Sequence, residues 1–190
     1  KTIEATIAEL PQHVGDMIRV QRLTAMRPGE LVQMRGCDID RRGPIWLYTP
    51  AEYKTEHITD SPRRIIAIGP KAQKILEKYL AVVGDGHIFT APRTGRPYAR
   101  TGYRSIVRYA SDRANLRAVE AAEAAGEEVK GRLIPRWHPN QLRHTSLTEI
   151  RSRFDAESAR AFAGHTNLST TEIYAEISVE KACKVAEAVG

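Results

Sequence analysis

A chain of 190 residues, 42% of them hydrophobic, is long enough for one globular domain with a sizeable core. Its formal charge of +6 and pI near 9.5 favour a polyanionic partner. Cys37 and Cys183 are far apart and outside any Cys-x-x-Cys pattern, which argues against a zinc site or a disulfide framework and for a reducing, cytoplasmic setting. No apolar run approaches the roughly 20 residues of a membrane span, and no signal-peptide pattern opens the chain. Because the first residue is Lys1 and the helical pattern is already under way, we expect one domain over 1–190, cut from a longer protein with a further domain upstream.

In chain order, residues 2–24 carry helical periodicity broken at Pro11, with Val14, Met17, Ile18 and Leu23 available for one face. Pro28 fits the first position of a new helix, where its missing N–H is no loss, and Glu30 falls in the first turn, where the helix dipole favours an acid. Arg27 is thereby set at a helix entrance. Segments 37–49 and 64–68 read as short strands, with IWLYT and RRIIAI rich in branched and aromatic residues between Gly43, Pro44, Pro50 and Gly69. Lys54 falls between them. A helix over about 70–80 and a Gly/Pro-rich loop precede a long helix over roughly 101–125, which Arg100, Arg104 and Arg108 line at i, i+4 and i+8. After a connector from 126 to 139, helices are expected at 139–152, at 155–163 with Asp155 as N-cap, at about 168–174 and at 179–188. The fold class is mainly α with one small antiparallel sheet (α+β).

Charge is unevenly spread. From Arg93 to Arg117 there are seven arginines against one acid, Asp112, whereas Glu120, Glu123, Glu127 and Glu128 have no basic residue between them. The chemistry concentrates elsewhere, in TAMRPGEL around Arg27, WHPNQLRHT around Arg143, and GHTNLSTTEIYAE, where Tyr174 follows His165 by nine residues. Attack on a phosphodiester needs a nucleophile, neutralisation of a more negative phosphorane-like state, and a proton for the leaving oxygen. Arginine suits the second task because its planar fork holds two phosphate oxygens and stays charged. A tyrosine among cations loses its proton more readily, and a lysine on a flexible stem can supply the leaving group's proton. Taken singly, each of these residues has an ordinary structural use; the set in this order points to moving a phosphodiester onto a protein oxygen.

These segments, together with YKTEHITDSPRRIIAIGPKAQKIL, resemble the tyrosine recombinase, or phage integrase, family along essentially the whole chain. The resemblance implies a catalytic domain in which Arg27 and Arg143 are the two catalytic arginines, Lys54 the hairpin lysine, His165 the second-box histidine and Tyr174 the nucleophile. Glu30 matches the acid that supports the site. It implies double-stranded DNA as partner, a 3′-phosphotyrosine intermediate, neither metal nor cofactor, a DNA-binding domain upstream, and a tetramer on DNA joined partly by a C-terminal segment, here 177–190. That segment can form an amphipathic helix from Ile177, Val179, Ala182 and Val185, suited equally to a neighbour or to its own domain. Arg100, Arg104 and Arg108 are expected on the DNA backbone.

One position departs from the pattern. The family's His-x-x-Arg would put histidine at 140, where this chain has Asn140. Asn140 can contact phosphate but cannot take a proton as imidazole does. His138 and His144 flank it, and our reading sets both off its helix face. Two alternatives share much of the sequence: a recombinase-derived DNA-binding module without catalysis, which Asn140 favours, and a topoisomerase forming the same 3′-phosphotyrosine.

Overall fold

The computed structural model describes residues 1–51, 64–129, 131–164 and 172–190, with the side chains of 172–178 also outside the description. Helices α1 (Thr2–Ile7), α2 (Gln12–Thr24) and α3 (Pro28–Val32) lead into a 3₁₀ turn at Gly36–Asp38 and strands β1 (Ile39–Asp40), β2 (Trp46–Tyr48) and β3 (Ile66–Ile68). Helices α4 (Pro70–Val83), α5 (Arg100–Ala125), α6 (Pro139–Arg153), α7 (Ala156–Phe162) and α8 (Glu172–Val189) follow. The strands form one antiparallel sheet in the order β1-β2-β3, with Leu47 opposite Asp40 on one side and Ala67 on the other. The expected fold class is observed.

Most helix limits follow from local chemistry. Pro28, Pro70 and Pro139 each occupy a first helical position, and the Asp155 carboxylate accepts from the Ser158 N–H at 2.6 Å to cap α7. Two expectations need correction. The segment 37–49 is not one strand: it begins in the 3₁₀ turn and folds back as the β1–β2 hairpin around Gly43 and Pro44. The separate helices at 168–174 and 179–188 are, from Glu172 onward, one helix, because AEISV between them holds neither glycine nor proline to stop it; residues 168–171 lie outside the described region.

The main core joins α2, α3, α4, α5 and the sheet through Met17, Ile18, Met26, Leu31, Tyr48, Ile66, Ile68, Leu76, Phe89 and Tyr103. A buried polar junction within it sets α2, α5 and α6 in register. Gln21 Nε2 donates to the Met26 and Pro139 carbonyls at 3.2 and 3.0 Å, while its Oε1 accepts from Tyr103 Oη at 3.1 Å. A second apolar cluster holds the C-terminal end of the chain: Ala182, Val185 and Ala186 of α8 pack with Ala67, Ile150 and Phe162. At Gly69 a β-carbon would stand 2.0 Å from the Ala186 carbonyl oxygen, so glycine is what lets α8 lie this close to the end of β3. Of the two seats open to 177–190, this structure has the end of the segment on its own domain.

Candidate active site

The site is assembled where α2 ends, α3 begins, β3 starts and α6 passes. Ala25 closes α2 in the left-handed region (φ 49°), a conformation costing a non-glycine residue about 1–2 kcal/mol. Its carbonyl accepts from Arg143 Nη1 at 2.5 Å, so the strained residue is also one anchor of the arginine. Two residues later Arg27 is the N-cap of α3, and Glu30 at the third helical position folds back to accept the Arg27 backbone N–H at 2.6 Å and its Nη1 at 3.0 Å. Tyr48 of β2 supports α3 from beneath, its hydroxyl donating to the Glu30 carbonyl at 2.8 Å.

Glu30 is only 5% exposed, and so is Arg64, a residue absent from the sequence-based site. Arg64 Nε and Nη2 both donate to the Glu30 carboxylate, the latter at 3.1 Å, and Nη1 donates to the Ala163 carbonyl. That carbonyl also accepts from Arg143 Nη2 at 2.9 Å. Arg143, itself 5% exposed, therefore spans from the end of α2 to the turn after α7. The described cluster comprises three guanidinium groups and one carboxylate, an excess of two positive charges. Arg27, with 35% of its side chain exposed, is its solvent-facing member.

The electrostatics follow from that imbalance. Burial alone would raise the Glu30 carboxyl, but the Arg64 guanidinium, with help from Arg27, holds it below its ordinary range. Burial lowers Arg143 to about 10, and repulsion from Arg64 and Arg27 adds to the effect. Arg64 is also lowered by burial, with Glu30 opposing. An incoming anion relieves the repulsion among the three guanidinium groups. Such a cluster suits a phosphate better than a neutral ligand.

Of the sequence-derived residues, Arg27, Glu30 and Arg143 meet as expected. Lys54 and His165 lie outside the described residues, and Tyr174 is placed only as a backbone position in the first turn of α8. Asn140 is exposed in the first turn of α6, and here the sequence reading is corrected. His144 is not off its face but one turn on, with Asn140 Nδ2 and His144 Nε2 3.2 Å apart. His138 is the N-cap of α6, its backbone N–H donating to Gln141 Oε1 at 2.8 Å. On α5, Arg100, Arg104 and Arg108 are all exposed, whereas Arg113 and Arg117 turn to Glu9 of the loop after α1, at 3.9 and 3.2 Å.

Arg64 was legible in principle. In the expected strand over 64–68, period-two alternation puts position 64 on the side of Ile66 and Ile68, which are core residues, although the observed strand begins at Ile66. A buried arginine in line with them demands a carboxylate partner.

The phage integrase family model matches residues 3–181. A tyrosine recombinase XerC of Lactobacillus delbrueckii subsp. bulgaricus is 27% identical over 159 residues, 83% of this chain and 48% of that protein. The XerC of Pseudomonas putida is 28% identical over 62% of this chain and 35% of its own length, so the chain spans less than half of the curated relatives it matches. Among solved structures, the integrase of mycobacterium phage Brujita superposes over 100% of this chain and 56% of its own, with TM-score 0.63 and 16% identity. The Tn1549 transposon integrase in complex with transposon right end DNA gives TM-score 0.63 at 15% identity, covering 94% of this chain and 63% of that one. With the family model matching nearly the whole sequence, the chain belongs to the phage integrase family.

Proposed function

We propose that this chain is the catalytic domain of a site-specific DNA recombinase that cleaves and rejoins duplex DNA through a 3′-phosphotyrosine. The observation that carries the reading is the convergence of Arg27 and Arg143, from opposite ends of the chain, on one buried, carboxylate-braced cationic site. In this mechanism Arg27 and Arg143 hold the non-bridging oxygens of the scissile phosphate, and His165 assists them. The Tyr174 phenol passes its proton to water and its oxygen bonds to phosphorus. The bond from phosphorus to the 5′ oxygen breaks, and that oxygen takes a proton from Lys54. A free 5′-hydroxyl of a second strand then attacks the phosphotyrosine, restoring a phosphodiester and the phenol. The energy of the original bond is kept in the covalent link, so ATP is not needed.

Support for DNA as the substrate is of two kinds. Arg100, Arg104 and Arg108 form an exposed row along α5, suited to a phosphate backbone. The solved relatives include a lambda integrase dimer bound to a core site and the Tn1549 complex. Assembly as a tetramer on DNA belongs to the same reading, as does a DNA-binding domain upstream. With Ala182 and Val185 buried in their own domain, docking of 177–190 onto a neighbour requires the end of α8 to leave that seat. Size-exclusion chromatography with and without site DNA tests this step.

A duplex nicked just past the cleavage point traps the intermediate, because the short fragment diffuses away. The native protein is expected to give a covalent adduct that Tyr174→Phe abolishes. Duplex binding without any adduct would instead favour the non-catalytic DNA-binding reading, for which Asn140 is the specific observation.

A further inference from the structure

Arg64 stands two residues before β3 and is 5% exposed. Burying a guanidinium is costly unless its donors are used, and here they are divided between two walls of the site. Two nitrogens grip the Glu30 carboxylate, which in turn holds the backbone and side chain of Arg27. The third donates to the Ala163 carbonyl, the same oxygen that anchors Arg143. The Ala163–Gly164 turn leads directly to His165. Gly164 has φ +64°, and a β-carbon there would stand 2.0 Å from Arg64 Nη1. The turn is therefore shaped to admit this guanidinium.

We infer that Arg64 is a positioning residue for strand cleavage: one planar group sets Arg27 through Glu30, and sets Arg143 and the start of the His165 segment through the Ala163 carbonyl. The inference rests on the recombinase reading of the site. Each Arg64 nitrogen donates within the protein, so its effect runs through the residues it holds. Lysine cannot replace it, since a single ammonium lacks the fork that spans two acceptors.

The test is single-turnover cleavage of the nicked duplex at saturating DNA, comparing the native protein with Arg64→Lys and Gly164→Ala. The second variant pushes on Nη1 and also strains the turn at φ +64°, without altering any charge. For Arg64→Lys we expect the first-order rate constant of adduct formation to fall about 100-fold, the scale of a misplacement of order 1 Å, with duplex affinity changed by less than about threefold. Gly164→Ala is expected to fall about tenfold in the same rate constant. A purely structural Arg64 would reduce only the amplitude, which reports the folded fraction, and leave the rate constant unchanged; that outcome overturns the inference. Should Arg64→Lys not fold, Arg64→Gln, which keeps one donor and removes the fork, decides by the same criterion. If the native protein forms no adduct that Tyr174→Phe removes, the recombinase reading fails first and the inference falls with it.

Discussion

Two groups of arginines differ in almost everything but residue type. Arg64 and Arg143 are buried, their bonding partners lie on other elements, and their positions are fixed by a carboxylate and two backbone carbonyls. Arg100, Arg104 and Arg108 stand exposed along one helix. A fixed guanidinium aimed at one point stabilises charge that develops there, whereas an exposed row attracts a polyanion without aligning any atom of it. The buried group should therefore govern rate and the exposed row affinity.

The largest effect that would break this division is expected at Arg143. Arg143→Ala should lower the cleavage rate constant by about 10³, the usual cost of removing one preorganised charge donor, while duplex affinity measured by fluorescence anisotropy stays within about tenfold. Burial and the neighbouring cations lower Arg143 to about 10. That folded value lies below the usual 12.5, so the native state holds this proton less tightly than the unfolded chain does, a standing penalty that a bound phosphate relieves. An affinity loss as large as the rate loss would merge the two groups.

Glu30 comes next, and its effect is on the fold. Glu30→Gln leaves buried Arg64 without a counter-charge, and breaking such a pair costs about 3–5 kcal/mol, measurable by urea denaturation. The pH dependence has a definite sign. The Glu30 carboxyl is held below its usual 4.5, so its contribution is fully present above pH 4.5 and lost as pH falls through the lower folded value. The stability gap between native protein and variant should be constant near neutrality and close on acidification. A gap that widens in acid would contradict the pairing.

On the exposed row, Arg104→Glu with Arg108→Glu should weaken duplex binding about tenfold or more and flatten the salt dependence, the slope of log K against log salt falling by about 0.9 for each phosphate no longer neutralised. Cleavage at saturating DNA should be nearly unchanged. If affinity and its salt dependence both survive the double reversal, α5 is not the backbone-contacting surface.

The sequence made much of this comparison readable. Pro28 and Glu30 placed Arg27 at a helix entrance because proline and an acid at those positions have a local physical cause. The four-residue spacing of Arg100, Arg104 and Arg108 carried the α5 row in the same way. Arg64 escaped because its partners, Glu30 and Ala163, are distant in the chain, and no local rule pairs RRIIAI with PGEL or AFAG. The division of the arginine-rich stretch escaped for a similar reason: Arg113 and Arg117 look continuous with the row but curl back to Glu9. The continuity of α8 is hidden by Tyr174, which reads as the end of one element although its flanking residues contain no helix breaker.

The smallest expected effect concerns Asn140, which lies between the two groups: exposed like the row, yet three residues from Arg143 on the same helix. Its amide nitrogen lies 3.2 Å from His144 Nε2, so an imidazole is already adjacent to where the family's histidine would start. If Asn140 serves as a neutral phosphate contact, Asn140→His should keep activity and change the rate constant only a few-fold, within the range a repositioned hydrogen bond commonly contributes. The new imidazole would adjoin His144 on the same turn of α6. Single-turnover cleavage by both proteins reads this directly. Loss of activity on restoring histidine would mean that the Asn140–His144 pair acts as a unit, placing this turn of α6 with the fixed, rate-governing arginines and not with the exposed row.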